Sequence, residues 1–141
     1  MHTGVAQASS TLEVVGNVYG TGGPNQITTI NFTVALAPGG TAVDIQKMVL
    51  VYSNATTIET LERKDDSDII NGQWCVSKIR NDLGGNNWLL EAGEQFDIGA
   101  MPKYGIYKND KFQLEVKPII GTPLAIKRSV PAAVEQINLL Y

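Results

Sequence analysis

Hydrophobic and polar residues alternate along much of this chain. In the stretch ITTINFTVAL, Ile30, Phe32, Val34 and Leu36 fall on one face, and the residues between them are polar or small. The stretches KFQLEVKP and PLAIKRSV alternate in the same way, although Arg128 falls on the apolar face of the second and is expected near a rim. A period of two residues is typical of a strand with one buried face, so all three stretches are predicted strands.

Four further stretches extend this pattern. KMVLVYS is a continuous apolar run that fits a central strand, QWCVSKI and EQFDIGA add two more strands, and LEVVGNVYG adds another with a bulge or bend at Gly16. Turns rich in glycine, proline and asparagine separate these runs. Seven or eight short strands at this spacing predict an all-β fold, an antiparallel β-sandwich or barrel of the immunoglobulin-like kind. AVDIQKM is either a turn or two of helix or an irregular crossover.

The first residues do not share the strand pattern. Residues 3–10 are small, polar and Ala-containing, which is typical of the end of a helix. We therefore expect residues 1–10 to form a short N-terminal helical stub and residues 11–141 to form a single β-sandwich domain. A chain of 141 residues is long enough to bury a substantial core.

Composition narrows the class of protein. The chain is 43% hydrophobic and 18% charged, which fits a globular protein and not a disordered one. Its net charge of −3 argues against nucleic acid as a partner. A single cysteine excludes an internal disulfide framework. No apolar run approaches the length that crosses a bilayer, so no membrane contact is predicted for this form of the chain.

Residues for catalysis are scarce. The only histidine is His2, beside Met1, so a serine or cysteine nucleophile would have no base. Cys75 lies within a strand pattern and is interpreted as a small structural residue. GTGGPN lacks the third glycine of a dinucleotide loop, and Pro24 would break the helix that must follow. The chain has enough carboxylates that a catalytic pair of the kind found in glycosidases is not excluded, but no feature of the sequence singles out two of them. The chain is therefore not expected to be an enzyme.

Two sequences satisfy the Asn-x-Ser/Thr rule for N-linked glycosylation. NFT begins at Asn31, in the middle of a predicted strand but on its polar face, and NAT begins at Asn54, at a predicted turn. Asn54 is expected to be the more accessible of the two. Two ordinary polar asparagines are the alternative interpretation.

The stretch RNDLGGNNWLLEAGE is rich in oxygen-bearing side chains around two glycines. Hard cations take six to eight oxygen ligands, and glycines let a loop turn its carbonyls inward. The spacing does not fit an EF-hand, and a polar hairpin loop is the alternative. KDDSD, with Asp65, Asp66 and Asp68, is a second acidic cluster that a solvated turn also explains.

The order of these features along the chain resembles the archaellins, the archaeal flagellins that build the swimming filament. The blocks APGGTAVDIQKMVLVYS and PLAIKRSVPAAV carry the likeness most specifically, and it covers essentially the whole chain. The resemblance implies a structural subunit of an extracellular, cell-surface filament, whose partners are other copies of itself and related archaellins. It also implies that the hydrophobic pilin-like helix of the family is missing here and that residues 3–10 are its remaining stub.

The resemblance further implies N-linked glycans and a bound divalent cation, most simply Ca²⁺. The resemblance assigns the role of metal ligand to five residues of the oxygen-rich stretch, which are Asn81, Asp82, Asn86, Asn87 and Glu94. Asn81 stands beside the arginine at a position where an acidic residue is expected. The site therefore carries less negative charge.

A calcium-dependent carbohydrate-binding module on a similar sandwich is the competing hypothesis. It would use Trp88 with Tyr104 or Tyr107 as stacking platforms for a sugar. Such platforms need exposed, coplanar aromatic rings.

Overall fold

The computed structural model describes residues 11–81 and 88–141. Twelve strands account for most of these residues. Their bounds are Leu12–Gly23 (β1), Gln26–Leu36 (β2), Val43–Asp44 (β3), Val49–Ser53 (β4), Ile58–Lys64 (β5), Gln73–Arg80 (β6), Leu89–Leu90 (β7), Gln95–Met101 (β8), Ile106–Tyr107 (β9), Lys111–Lys117 (β10), Leu124–Ser129 (β11) and Ile137–Leu140 (β12).

Ten of the strands form one sheet that curls back on itself. The order across it is β11-β10-β4-β5-β6-β8-β2-β1-β12, with β9 added beside β2, while β3 pairs with β7 alone. At the two outer strands, the Ser129 amide donates a 2.6 Å hydrogen bond to the Tyr141 carbonyl. This contact nearly closes the sheet, so the predicted all-β sandwich or barrel is confirmed.

One pair of strands departs from the antiparallel prediction. β5 and β6 run in parallel, with Glu62 opposite Gln73 and Lys64 opposite Cys75. Residues 65–72 carry the chain back along the sheet before β6 starts, which is the crossover that a parallel pair requires. The alternation of residues within each strand contains no information about this direction.

The predicted strands appear at their expected places. In β10, Phe112, Leu114 and Val116 are buried while the residues between them face outward. Gly16 has φ of +76° at a shift of register between β1 and β2, which confirms the predicted bulge. The expected count of seven or eight strands was too low, because the two-residue strands β3, β7 and β9 are too short to show a period.

The AVDIQKM stretch forms only a single 3-10 turn, Ile45–Lys47. The Asp44 side chain caps it by accepting a 3.0 Å hydrogen bond from the Gln46 amide. The predicted helical stub at residues 1–10 lies outside the described residues. Within the described ranges, no helix is long and apolar enough to span a bilayer.

The buried hydrophobic side chains form one cluster between the faces of the curled sheet. Trp74 and Phe96 are its largest members and are fully buried. Burial of this kind is the main favourable contribution to folding. The cluster holds the strands in register and thereby fixes the positions of the polar residues on the outer surface.

Candidate functional site

The Asn54 sequon lies in the exposed turn between β4 and β5. The Asn54 side-chain oxygen accepts hydrogen bonds from the amides of Thr56 and Thr57, at 2.9 and 2.8 Å, and from the Thr56 hydroxyl at 3.2 Å. This is an Asx turn, a usual role for asparagine at a tight connection. The amide nitrogen, which is the atom that takes an N-linked glycan, contacts the Tyr52 hydroxyl at 3.4 Å. The geometry leaves the asparagine exposed and held by its own sequon threonine.

Asn31 is placed differently, in the interior of the sheet. It lies in β2 with Tyr19 of β1 on one side and Gly99 of β8 on the other. Its amide nitrogen donates a 3.2 Å hydrogen bond to the Thr21 hydroxyl, and the residue is half-buried. Asn54 is therefore the more accessible of the two sequons, as the sequence predicts.

Of the five predicted metal ligands, Asn81 and Glu94 fall in the described part of the chain. Asp82, Asn86 and Asn87 lie outside the described residues. Asn81 follows the end of β6 with φ of +56°, a left-handed conformation that asparagine tolerates.

Glu94 is almost completely buried, with 1% of its surface exposed. One carboxylate oxygen accepts a 2.7 Å hydrogen bond from the Glu91 amide, and the Glu94 amide donates in turn to the Glu91 carbonyl at 3.0 Å. These bonds close the turn between β7 and β8. A carboxylate oxygen is a ligand type that hard cations take, so the chemistry of Glu94 fits a hard-cation site.

No group of three potential metal-binding side chains occurs within residues 11–81 and 88–141. The second acidic cluster is a solvated turn in that part of the chain: Asp65 pairs with Arg63 at 2.7 Å, and Asp66 caps the amide of Asp68. The described acidic residues do not assemble a cation site by themselves.

The aromatic residues of the carbohydrate hypothesis do not form a common platform. Trp88 is half-buried and packs against the core, and the Arg63 guanidinium lies 5.7 Å from the centre of its ring. Tyr104 and Tyr107 are exposed, with the Lys103 ammonium 5.6 Å from the Tyr104 ring. Because Trp88 packs on the core and is flanked by a cation, the arrangement lacks the exposed tryptophan that the hypothesis requires.

An ion pair on the outer face of the sheet was not anticipated from the sequence. Arg80 of β6 donates to both carboxylate oxygens of Asp97 of β8, from Nη2 at 2.8 Å to one oxygen and from Nε at 3.1 Å to each. The hydroxyl of Thr33 of β2 donates a further hydrogen bond to Asp97 at 2.7 Å. Partial burial would raise the pKa of Asp97, but the bonds from Arg80 and Thr33 and the arginine charge outweigh it, so this pKa is lowered. The three residues are far apart in sequence, which is why no local pattern predicts them.

A cluster of basic side chains was also missed. Lys111, Lys127 and Arg128 line one shallow pocket together with Asn54 and Tyr141. Lys127 and Gln113 are paired across β11 and β10, and Gln113 faces Ser53 of β4, so the pocket lies at the strand ends beside the glycosylation turn. Arg128 is half-buried at this rim, where the sequence predicts it.

Cys75 is buried in β6, and burial raises the pKa of its thiol above the usual value, although a weaker hydrogen bond with the Gly99 backbone opposes this. A thiol that stays protonated is a poor nucleophile. Its structural interpretation therefore agrees with its surroundings.

A comparison with known protein families identifies the chain. The model of the archaeal-type flagellin family matches residues 1–128. The chain belongs to this family. It is similar to probable flagellin 1 of Archaeoglobus fulgidus, with 30% identity covering 99% of this chain and 75% of that protein. Probable flagellin 2 of the same organism is 26% identical over 98% of the chain and 74% of its own length.

Solved structures share the fold. The crystal structure of archaeal flagellin FlaB1 from Methanocaldococcus jannaschii has a TM-score of 0.80 at 16% identity, covering 94% of this chain and 97% of that one. The archaeal flagellum of Methanospirillum hungatei has a TM-score of 0.67 at 19% identity, covering 98% and 75%. The periplasmic stator complex FlaF and FlaG of Sulfolobus acidocaldarius also has this fold, at a TM-score of 0.60 and 11% identity over 90% and 96%. The fold alone therefore does not separate a filament subunit from a stator, and the family match does.

Membership of the flagellin family makes the chain a structural subunit of the archaeal swimming filament and not an enzyme. Its place is the extracellular filament on the cell surface. The comparisons give no support to a carbohydrate-binding module.

Proposed function

We propose that this chain forms the exposed layer of the archaellum filament and packs there against neighbouring copies and related archaellins. The match of the flagellin family over residues 1–128 carries this proposal. A nearly closed sheet with one continuous core suits a rigid building block, because each copy can present the same outer surface to its neighbours.

Filaments sheared from the producing cells test the proposal. Mass spectrometry should find peptides of this chain as a component of the filament, and cells that lack the chain should lose filaments or swimming. Filaments and motility that persist unchanged without it would refute the proposal. Cells that carry the intact gene on a plasmid are the control, and they should recover both.

We propose Asn54 as an N-glycosylation site, with Asn31 as a second and less favoured acceptor. Asn54 is exposed in a turn, whereas Asn31 is half-buried between two paired strands. Mass spectrometry of intact glycopeptides from native filaments tests the order. Unmodified Asn54, or full occupancy at Asn31 alone, would contradict it, and Thr56→Ala should remove the Asn54 glycan without changing the asparagine.

We propose that the stretch from Asn81 to Glu94 binds one Ca²⁺ ion, with Asp82 and Glu94 as the charged ligands and Asn81, Asn86 and Asn87 as neutral ones. The carboxylate of Glu94 beside this stretch supports the proposal, because carboxylate oxygens are among the ligands that hard cations take. Calcium would tie the connection between β6 and β7 to β8.

Calcium that binds only the folded chain would stabilise it by about 2.7 kcal/mol at a hundredfold excess over Kd. The melting temperature should therefore rise when Ca²⁺ is added and fall back to its starting value when EDTA removes the ion. Asp82→Ala should abolish the shift. Glu94→Ala should also lower stability in EDTA, because it removes the bond to the Glu91 amide, so Asp82→Ala is the cleaner variant. A full calcium shift in both variants would place the site elsewhere, with Asp65, Asp66 and Asp68 the next candidates.

A further inference from the structure

The basic pocket beside the Asn54 turn has an unusual charge balance for an acidic protein. Lys111 and Lys127 are exposed on the outer face of β10 and β11, and Arg128 reaches the same rim. The ion pairs within residues 11–81 and 88–141 involve Arg63, Lys64, Arg80 and Lys117, and none involves these three side chains. No acidic side chain is among the residues that line the pocket. Three positive side chains are thus gathered without an ion pair to an acidic side chain in the described part of the same chain.

An acidic segment lies at the other end of the same sheet. Residues 62–68 follow one another as Glu, Arg, Lys, Asp, Asp, Ser and Asp, with a net charge of −2. The side chains of Asp65 and Asp66 are 76% and 68% exposed, although they pair with Arg63 and Lys64. Exposed pairs of this kind are weak and exchange partners readily.

The two regions cannot meet within one molecule. Ser53, at the basic pocket, faces Ile58 at the start of β5. Lys64, where the acidic segment leaves the sheet, ends the same strand. At about 3.3 Å per residue the length of β5 separates them by about 20 Å. That distance far exceeds the reach of a lysine side chain, so any carboxylate of this segment that enters the pocket must come from a second molecule.

We propose that the pocket formed by Lys111, Lys127 and Arg128 receives the acidic segment 62–68 of a neighbouring copy. This proposal rests on the filament function proposed above and names the surfaces that meet. A contact between two different patches at opposite ends of a subunit is heterologous, and repetition of such a contact produces an open helical assembly. The charges also orient approaching copies, since opposite patches attract while like patches repel.

A zero-length carbodiimide cross-link on native filaments tests the contact. The reagent joins an amine to a carboxylate only when the two are in direct contact. The expected product runs as a dimer on a denaturing gel and contains a peptide that joins Lys111 or Lys127 to Asp65, Asp66 or Asp68. Filaments that contain the chain but give only other cross-links, or give this one only within a monomer, would overturn the proposal.

Charge reversal supplies an independent test. Lys127→Glu with Arg128→Glu should weaken the contact by up to about fivefold per ion pair lost, seen as fewer filaments and dissociation at lower salt. Asp65→Lys with Asp66→Lys in the same chain should restore both, because the two patches then again carry opposite charges. Lys47→Glu with Lys78→Glu changes the net charge equally at exposed positions away from the pocket and is the matched control.

The outcomes separate this proposal from the filament function. If filaments contain the chain but the charge-reversal variant weakens them no more than the control variant does, the proposed contact is wrong and the filament function stands. Native filaments that lack the chain refute the filament function itself. Loss with the reversal, recovery in the quadruple variant and an unchanged control support the contact.

Discussion

Asn138 is the buried polar residue whose removal should show what holds the last strand in place. It lies in β12 with 5% of its surface exposed. Its side-chain oxygen accepts a 2.8 Å hydrogen bond from the Glu135 amide, and its nitrogen donates to the carbonyls of Glu135 at 2.6 Å and of Gly20 at 3.3 Å. These bonds join the final strand to the turn before it and to β1.

Asn138→Ala removes all three bonds. Glu135 is exposed, so water can replace the bonds to its backbone, whereas Gly20 is buried and its carbonyl loses a donor in a dry place. At about 1 kcal/mol net for each bond, with a higher cost for a buried group left unpaired, the loss is about 2–3 kcal/mol of unfolding free energy. Asn138→Asp keeps the acceptor but faces two carbonyl oxygens with a negative charge, so it should be at least as costly at neutral pH.

Urea unfolding followed by tryptophan fluorescence, to which the fully buried Trp74 and the half-buried Trp88 both contribute, measures both variants. The Asn138→Asp variant should recover part of its loss as the pH falls, because protonation removes the charge and restores one donor. Asn17→Ala, at an exposed position of β1, is the control and should change stability by less than about 0.5 kcal/mol. An Asn138→Ala loss no larger than that of the control would show that these bonds contribute nothing net.

Three further predictions concern the core, the outer ion pair and the thiol. Leu114→Ala should cost about 2–5 kcal/mol in the same urea assay, because the side chain is fully buried in a strand paired on both sides and the cavity cannot collapse. The lowered pKa of Asp97 means that its pairing with Arg80 stabilises the fold above the ordinary aspartate pKa of about 3.9 and that this contribution is lost as the pH falls through the lower folded value. Asp97→Asn should therefore flatten the acid dependence of stability. Cys75 should react with a thiol reagent only at the rate of unfolding, and rapid labelling of the native chain would contradict its burial.

The fold class could be predicted because the strand period is a local property. Ile30, Phe32 and Val34 alternate with polar or small residues, and the structure buries these three on one face of β2. The Gly16 bulge was equally visible, since a glycine interrupts an otherwise regular strand. The lack of a histidine base for a serine or cysteine nucleophile could be predicted from composition, because the single histidine stands at position 2.

The tertiary structure alone decided how the strands pair and which polar residues meet. The parallel pairing of β5 with β6 depends on where the chain returns after residue 64, which the alternation within each strand does not encode. Arg80 and Asp97 come together only because β6 and β8 are neighbours, and Lys111 and Lys127 share a surface only because β10 pairs with β11. A period of two residues tells which side of a strand faces the core, but the charges that form a surface are assembled by contacts between distant parts of the chain.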